Sequence, residues 1–331
     1  MRIFHNTSET GYAPSRSFFN GTFKPYPDVP QRTAALLEPL VGAPGITLEE
    51  PPALDPALLA SIHGDAYPAA LQAVCHRLKA DEQFFPLTMQ RRPLLLESPF
   101  PRIRAGYYAL DTSTPLVPAS FTAALGAAAA AVAGADALLA GESLAYSLAR
   151  PPGHHAGREY WAGYCVLNNA ALAVQRLSGA SGGGTSRGGR SIGGKVALLD
   201  VDFHHGNGSQ DIFWERPDVL FTSLHCRPEE AYPYVSGARS ETGAGKGLGS
   251  TYNFPLPSGT HWAGYAPALE TALDRIAAFG PQSVVLSLGF DTWPQTLSGP
   301  LPCNRGTSSH SVPELHRLAA RCWWCRRVGM T

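Results

Sequence analysis

The stretch Leu198-Leu199-Asp200-Val201-Asp202-Phe203-His204-His205-Gly206-Asn207-Gly208 decides how this chain is read. An apolar run, Val196 to Leu199, leads into alternating acids, then a histidine pair, then a Gly-Asn-Gly turn. Alternate side chains of a β-strand share a face, so a strand running through the motif would aim Asp200, Asp202 and His204 the same way. A carboxylate and an imidazole at i and i+2 are placed to grip one metal ion, and open α/β sheets carry their sites at the carboxyl ends of strands.

Ser283-Val284-Val285-Leu286-Ser287-Leu288-Gly289-Phe290-Asp291 reads as a second buried strand that ends in an acid. Asp202, His204 and Asp291 together make two carboxylates and one imidazole. Such a set leaves a position open for water, as in a catalytic zinc site. Water on Zn²⁺ has a pKa of about 7 and is a nucleophile at neutral pH. Asp-x-His alone is a chance triplet and Gly-Asn-Gly alone is a turn; the doubled acids, the doubled histidines and the strand context together point to metal.

A second histidine pair lies in Arg150-Pro151-Pro152-Gly153-His154-His155-Ala156-Gly157, held by a rigid turn. Either imidazole is suited to general acid or base work within reach of a metal-bound water; in isolation, two packed loop histidines are as good a reading. Asp200 is a carboxylate able to orient one imidazole, and Asn207 an uncharged partner for the other. Tyr164, Cys165, Asn168 and Asn169 read as packing and helix capping. Tyr232, beside Pro233, reads as a packed aromatic able to line a pocket. His63 and His225 carry no functional reading.

The chain as a whole is long enough for one large α/β domain or two smaller ones, and its composition is that of a buried-sheet enzyme. It has 331 residues, 44% hydrophobic and 16% charged, enough for a substantial core and too apolar for disorder. The net charge of +0 favours neither nucleic acid nor an anionic membrane as a partner. Met1 to Asn6 shows no signal-peptide pattern, and the six cysteines show no disulfide framework, so a cytoplasmic protein with reduced thiols is expected. The apolar stretch Ala123 to Ala140 is mostly alanine and carries Asp136, which reads as a buried helix within Pro118 to Gly141.

Further helices are expected over Gln31–Leu40, after Asn168 and over Tyr265–Phe279, and strands over Ser143–Leu148 and Val219–His225. Asp81 to Pro101 has no period and reads as a long loop. Ser178 to Gly194 reads as a flexible Gly/Ser/Arg insertion. Strands alternating with helices predict a mostly parallel central sheet covered by helices on both faces. From Trp293 the texture changes: the tail holds half of the cysteines and half of the tryptophans, one acid (Glu314), and neither Lys nor Tyr. A domain over 1–292 and a divergent, poorly ordered tail over 293–331 are expected.

Four motifs in order, Arg150 to Gly157, Gly163 to Asn169, Leu199 to Gly208 and Ser287 to Thr292, resemble the zinc histone-deacetylase superfamily. Within it they look most like the class II-type bacterial branch that includes acetylpolyamine amidohydrolases. Gln210-Asp-Ile-Phe213, Glu241-Thr-Gly243 and Pro255-Leu-Pro257 extend the likeness, which covers roughly 1–292. The resemblance implies an arginase/deacetylase-type fold and Zn²⁺ on Asp202, His204 and Asp291. It implies His154 and His155 as the acid/base pair with Asp200 and Asn207 behind them, and Tyr164 and Tyr232 as walls for an acyl-amine chain. It also implies a monovalent cation (K⁺) near Asp200 and Ser223, and a homodimer built on the loop from Asp81 to Pro101, where Glu82 would attract a cationic substrate. The reaction implied is hydrolysis of an N-acetyl amide, with acetylpolyamine or acetyl-lysine as substrate.

One departure stands out. The family's later Gly-Gly-Tyr segment, whose tyrosine polarises the substrate carbonyl, has no counterpart after Tyr265. Losing one such donor costs roughly 10²- to 10³-fold in rate. An impaired deacetylase is therefore expected; the alternatives are a non-catalytic metal- or ligand-binding protein and a truncated product without function.

Overall fold

The structure is a computed structural model that describes residues 1–179, 194–289 and 291. The expected insertion (but for Ser178, Gly179 and Gly194) and the tail from 293 lie outside the described residues. The chain divides between Ile192 and Gly193 into two compact units.

The first unit is built on strand β1 (Arg2–His5), followed by a hairpin of β2 (Arg16–Phe19) and β3 (Thr22–Pro25). Helix α1 (Pro30–Leu37), strand β4 (Thr47–Glu49) and helices α2 (Pro56–His63), α3 (Ala66–Cys75) and α4 (Pro101–Tyr108) come next. Helix α5 (Ser120–Leu139), strand β5 (Ala145–Leu148) and helix α6 (Asn169–Ser178) complete it. Strands β4, β1 and β5 pair in parallel in that order. The alanines of α5 give it high helix propensity and a slim profile. Ala130, Ala133 and Ala137 pack closely against Phe4 of β1. It is the one helix among the described residues long and apolar enough to cross a membrane, and 56% of that window is buried within the protein. Helix α6 starts where expected, with the Asn168 side chain accepting from the Ala171 amide at 2.9 Å.

The second unit holds a parallel sheet in the order β8 (Thr251–Leu256), β7 (Val219–Cys226), β6 (Val196–Asp200), β9 (Ser283–Ser287). Every residue of β6 and β7 is buried, as the apolar runs require of strands covered on both faces. Helix α7 (Asn207–Phe213) follows β6, and helix α8 (Trp262–Phe279) packs Leu269, Ala272 and Ile276 against Leu199, Leu220 and Phe254.

Three of the differences from the sequence reading bear on the sheet that carries the site. Strand β8 was not expected, because Pro255 interrupts its pattern; an edge position tolerates a proline, and β8 has only β7 beside it among the described residues. Strand β9 is not buried: Leu286 is 50% exposed, and among the described residues β9 pairs with β6 alone. Finally, β6 stops at Asp200, so Asp202 and His204 are not on the strand. The Asp200 carboxylate accepts from the Asp202 amide at 3.1 Å and the Asp202 carboxylate from the His204 amide at 2.8 Å. These two successive Asx turns divert the backbone from the ladder.

Candidate metal centre

The turns that end β6 swing Asp202 and His204 toward the end of β9. One donor atom from each of Asp202, His204 and Asp291 lies within 4.8 Å of the other two. The His204 Nδ1 atom is 2.8 Å from Asp291 Oδ2 and 3.2 Å from Asp202 Oδ1. Asp291 is held from the other side by the Phe203 amide, which donates to Oδ1 at 3.1 Å. A Cβ built on Gly289 would lie 1.9 Å from Asp202 Oδ2 and 2.8 Å from Asp291 Oδ1, so only glycine lets the two carboxylates close on this point.

The electrostatics describe a site that wants positive charge. Burial pulls the His204 imidazolium down, but hydrogen bonds to Asp202 and Asp291 outweigh it and raise the pKa to about 10. Burial, then the neighbouring Asp202 charge, raises the Asp291 carboxyl. Two carboxylates this close repel unless a proton or a cation stands between them. Oxygen and imidazole nitrogen donors in this number fit Zn²⁺ with a free coordination position.

Around the triad, the Tyr232 ring lies edge-on to His204 with centroids 6.3 Å apart. Asp200 and Ser223 are register partners on β6 and β7, and both are fully buried. Asn207, at the first position of α7, is buried too.

In the first unit His154 and His155 are buried side by side with ring centroids 3.9 Å apart. Tyr164 takes a left-handed backbone conformation at φ 69°, its amide donating to Thr114 Oγ1 at 2.7 Å while the Gly163 amide donates to Asp111 Oδ2 at 2.8 Å. Burial raises its phenol pKa, and its ring packs edge-on against Tyr26. Glu82 does not present a free negative charge. Arg102 pairs with it at 2.6 Å, the Lys79 amide donates to it at 3.2 Å, and the cleft around it is lined by Arg77, Lys79, Asp81 and Arg102. Three cations against two acids do not draw in a cationic ligand, and that sign depends on Arg102, which α4 brings to the site from twenty residues away.

A polar cluster that the motif reading did not assemble lies behind the metal loop. His205, Gln210, Ser223, His225 and Asn253 are all buried and hydrogen-bonded, with Ser236 and Glu241 joining from the loop after Tyr232. Gln210 and Glu241 belong to motifs visible in the sequence, but nothing in their spacing says that they meet.

Comparison with known proteins agrees with this architecture. The family model for the histone deacetylase domain matches residues 26–325, which extends past residue 292, where the motif likeness ends. The chain is 50% identical over 190 residues to an acetylpolyamine amidohydrolase of Mycoplana ramosa, a match covering 57% of this chain and 52% of that protein. It is 35% identical over 299 residues to an acetylpolyamine amidohydrolase of Burkholderia pseudomallei, covering 88% and 83% respectively. A crystal structure of acetylpolyamine aminohydrolase from Burkholderia pseudomallei superposes with a TM-score of 0.82 at 33% identity, covering 90% of this chain and 84% of that one. The chain spans about half the length of the two curated relatives it matches at 50% and 44% identity. It has the α/β architecture of deacetylases, parallel sheets flanked by helices, and it belongs to the histone deacetylase domain family.

Proposed function

We propose that this chain is a zinc-dependent amidohydrolase that removes acetyl groups from acetylated amines, either acetylpolyamines or acetyl-lysine. The observation that carries the reading is the convergence of Asp202, His204 and Asp291 in a chain of this family. These three residues would hold the zinc. Bound there, zinc supplies Lewis acidity that polarises an amide carbonyl and makes water acidic near neutral pH.

The remaining work falls to side chains of the protein. His154 and His155 move the protons: one imidazole takes a proton from the attacking water, and the pair returns one to the amine nitrogen as the C–N bond breaks. Asp200 and Asn207 orient the two rings. Tyr164 and Tyr232 present aromatic faces to the acyl-amine chain. Asp200 and Ser223 hold a monovalent cation, K⁺, which offsets the buried Asp200 charge. The loop from Asp81 to Pro101 exposes Leu87, Leu94 and Phe100 to solvent, which suits an interface between two copies of the chain.

Residues 266–331 contain no tyrosine, and on that ground we propose that carbonyl polarisation rests on fewer donors and that turnover is lower by roughly 10²- to 10³-fold. The same observation favours a second reading, in which the chain binds acetylated amines without hydrolysing them. Acetate release from N-acetylputrescine and from an acetyl-lysine peptide, assayed beside zinc content, separates the two. The first reading expects slow release that His154→Ala abolishes. Binding of zinc and substrate with no acetate at any enzyme concentration supports the second, and release as fast as that of tyrosine-bearing relatives contradicts the impairment.

A further inference from the structure

The cluster behind the metal loop has a direction that can be read from donor and acceptor chemistry alone. A carboxylate only accepts hydrogen bonds at neutral pH. The Gln210 amide atom that lies 2.8 Å from Glu241 Oε2 must therefore be its NH₂ group. That fixes the other atom, Gln210 Oε1, as an acceptor. It faces His205 Nε2 at 3.1 Å and the Asn253 NH₂ group at 2.7 Å. An acceptor opposite Nε2 requires the proton on Nε2, so Nδ1 of a neutral ring is left to accept from Ser236 Oγ at 3.0 Å. One carboxylate thus sets the tautomer of a buried imidazole two hydrogen bonds away.

The same carboxylate ties down the loop that carries Tyr232. Glu241 Oε2 also accepts from the Gly237 amide at 2.8 Å, and the Gly237 carbonyl accepts from His225 Nε2 at 3.0 Å. Gly237 stands at φ 108° between two imidazoles. A Cβ there would lie 2.7 Å from His225 Nε2 and 3.0 Å from His205 Cγ, so no larger residue lets the loop seat this closely. Ser236 and Gly237 are only four and five residues from Tyr232, whose ring lies against His204. His205 is the neighbour of His204 in the chain. The cluster therefore joins the loop that ends at the metal ligands to the loop that presents the aromatic wall.

We propose that Glu241 is a positioning residue: through Gln210 it fixes the His205 ring in its Nε2–H form, and through Gly237 it seats the Tyr232 loop on the metal loop. The proposal rests on the deacetylase reading only in giving Tyr232 a substrate to contact; the relay itself stands on unit geometry alone. Glu241→Gln keeps an acceptor oxygen for both the Gln210 amide and the Gly237 amide, so it preserves the relay. Glu241→Ala removes it and leaves only the Asn253 NH₂ group, which also donates to the Ala238 carbonyl at 3.3 Å, to resist a flip of Gln210, after which Ser236 can accept from Nδ1–H instead. Gln210→Met removes the acceptor opposite Nε2 directly.

The test uses the full zinc-loaded chain labelled with ¹⁵N-histidine, at one fixed pH, with His205→Gln to assign the signal. The wild type and Glu241→Gln are expected to show His205 protonated on Nε2 alone. Glu241→Ala is expected to show a mixture of tautomers and about tenfold weaker binding of N-acetylputrescine, with zinc content unchanged. If Glu241→Ala does not fold, Gln210→Met reads the same ring and is expected to give the same mixture. A single Nε2–H tautomer that survives in the folded variant overturns the proposal. So does an equal effect of Glu241→Gln and Glu241→Ala, which would make the charge, not the hydrogen-bond direction, the cause. Absence of acetate release by the wild type overturns the deacetylase reading and leaves the ring signal to decide this one.

Discussion

Gly289 lies directly against the Asp202 carboxylate, with room for a hydrogen and not for a methyl group: a Cβ would come within 1.9 Å of Oδ2. The atom that must give way is the end of a movable side chain, and it is also a proposed ligand atom. Gly289→Ala is therefore expected to leave the fold intact and to weaken zinc binding by about 10- to 100-fold. Competition with a chelator of known affinity measures it, and a circular-dichroism melt within a few degrees of wild type shows that the loss is local.

His63 gives the first unit a pH dependence. Its Nε2 accepts from the Asn168 amide at 3.0 Å and its Nδ1 faces the Arg158 carbonyl at 3.2 Å, a pattern that needs the neutral ring. Burial lowers its pKa from 6.5 to about 4. The unfolded chain thus binds a proton between those values that the folded chain refuses. Stability is full above pH 6.5 and falls by about 3 kcal/mol as the pH drops toward 4. Denaturant titrations across this window should show the loss, and His63→Gln, which does not titrate, should flatten that part of the profile.

Arg150 opens the histidine-pair motif and is itself anchored by charge. Its Nε donates to Asp28 Oδ1 at 2.8 Å, both side chains are almost fully buried, and Glu9 stands 4.0 Å away. Asp28→Ala would leave the guanidinium with the backbone carbonyls of Tyr12 and position 28 and, as its nearest remaining carboxylate among the described residues, the more distant Glu9. A cost of about 3 kcal/mol is expected, read as a lowered urea midpoint, whereas a change within 0.5 kcal/mol would show that Glu9 and water suffice.

How much of this was legible in the sequence follows from what each feature depends on. The convergence of Asp202, His204 and Asp291 was legible because acids and a histidine at the ends of apolar runs carry a composition that packing alone does not produce. Their strand placement was not: period-2 alternation continues through His204, yet the Asp200 and Asp202 carboxylates capture the following amides and end the strand first. Strand β8 was hidden by Pro255, whose tolerance at a sheet edge is a tertiary fact. The pairing of Glu82 with Arg102 was not legible, because Arg102 is twenty residues away in sequence and is brought in on α4. Gln210 and Glu241 are 31 residues apart and meet only once β7 and the loop after it have folded back.

The exposed loop from Asp81 to Pro101 supplies a prediction about assembly. If Leu87, Leu94 and Phe100 are covered by a second copy of the chain, then replacing Leu87 and Leu94 by Glu should convert a dimer to a monomer without lowering the melting temperature of the protomer. Sedimentation velocity distinguishes the two. A wild-type protein that sediments as a monomer at tens of micromolar contradicts the assignment.

The most direct measurement is metal analysis of the purified chain beside its Asp202→Ala and Asp291→Ala variants. The account predicts about one zinc per wild-type chain and loss of that zinc in both variants while they remain folded. A folded wild type that takes up no zinc, or an Asp291→Ala variant that keeps it at undiminished affinity, would contradict the metal centre on which the functional reading stands.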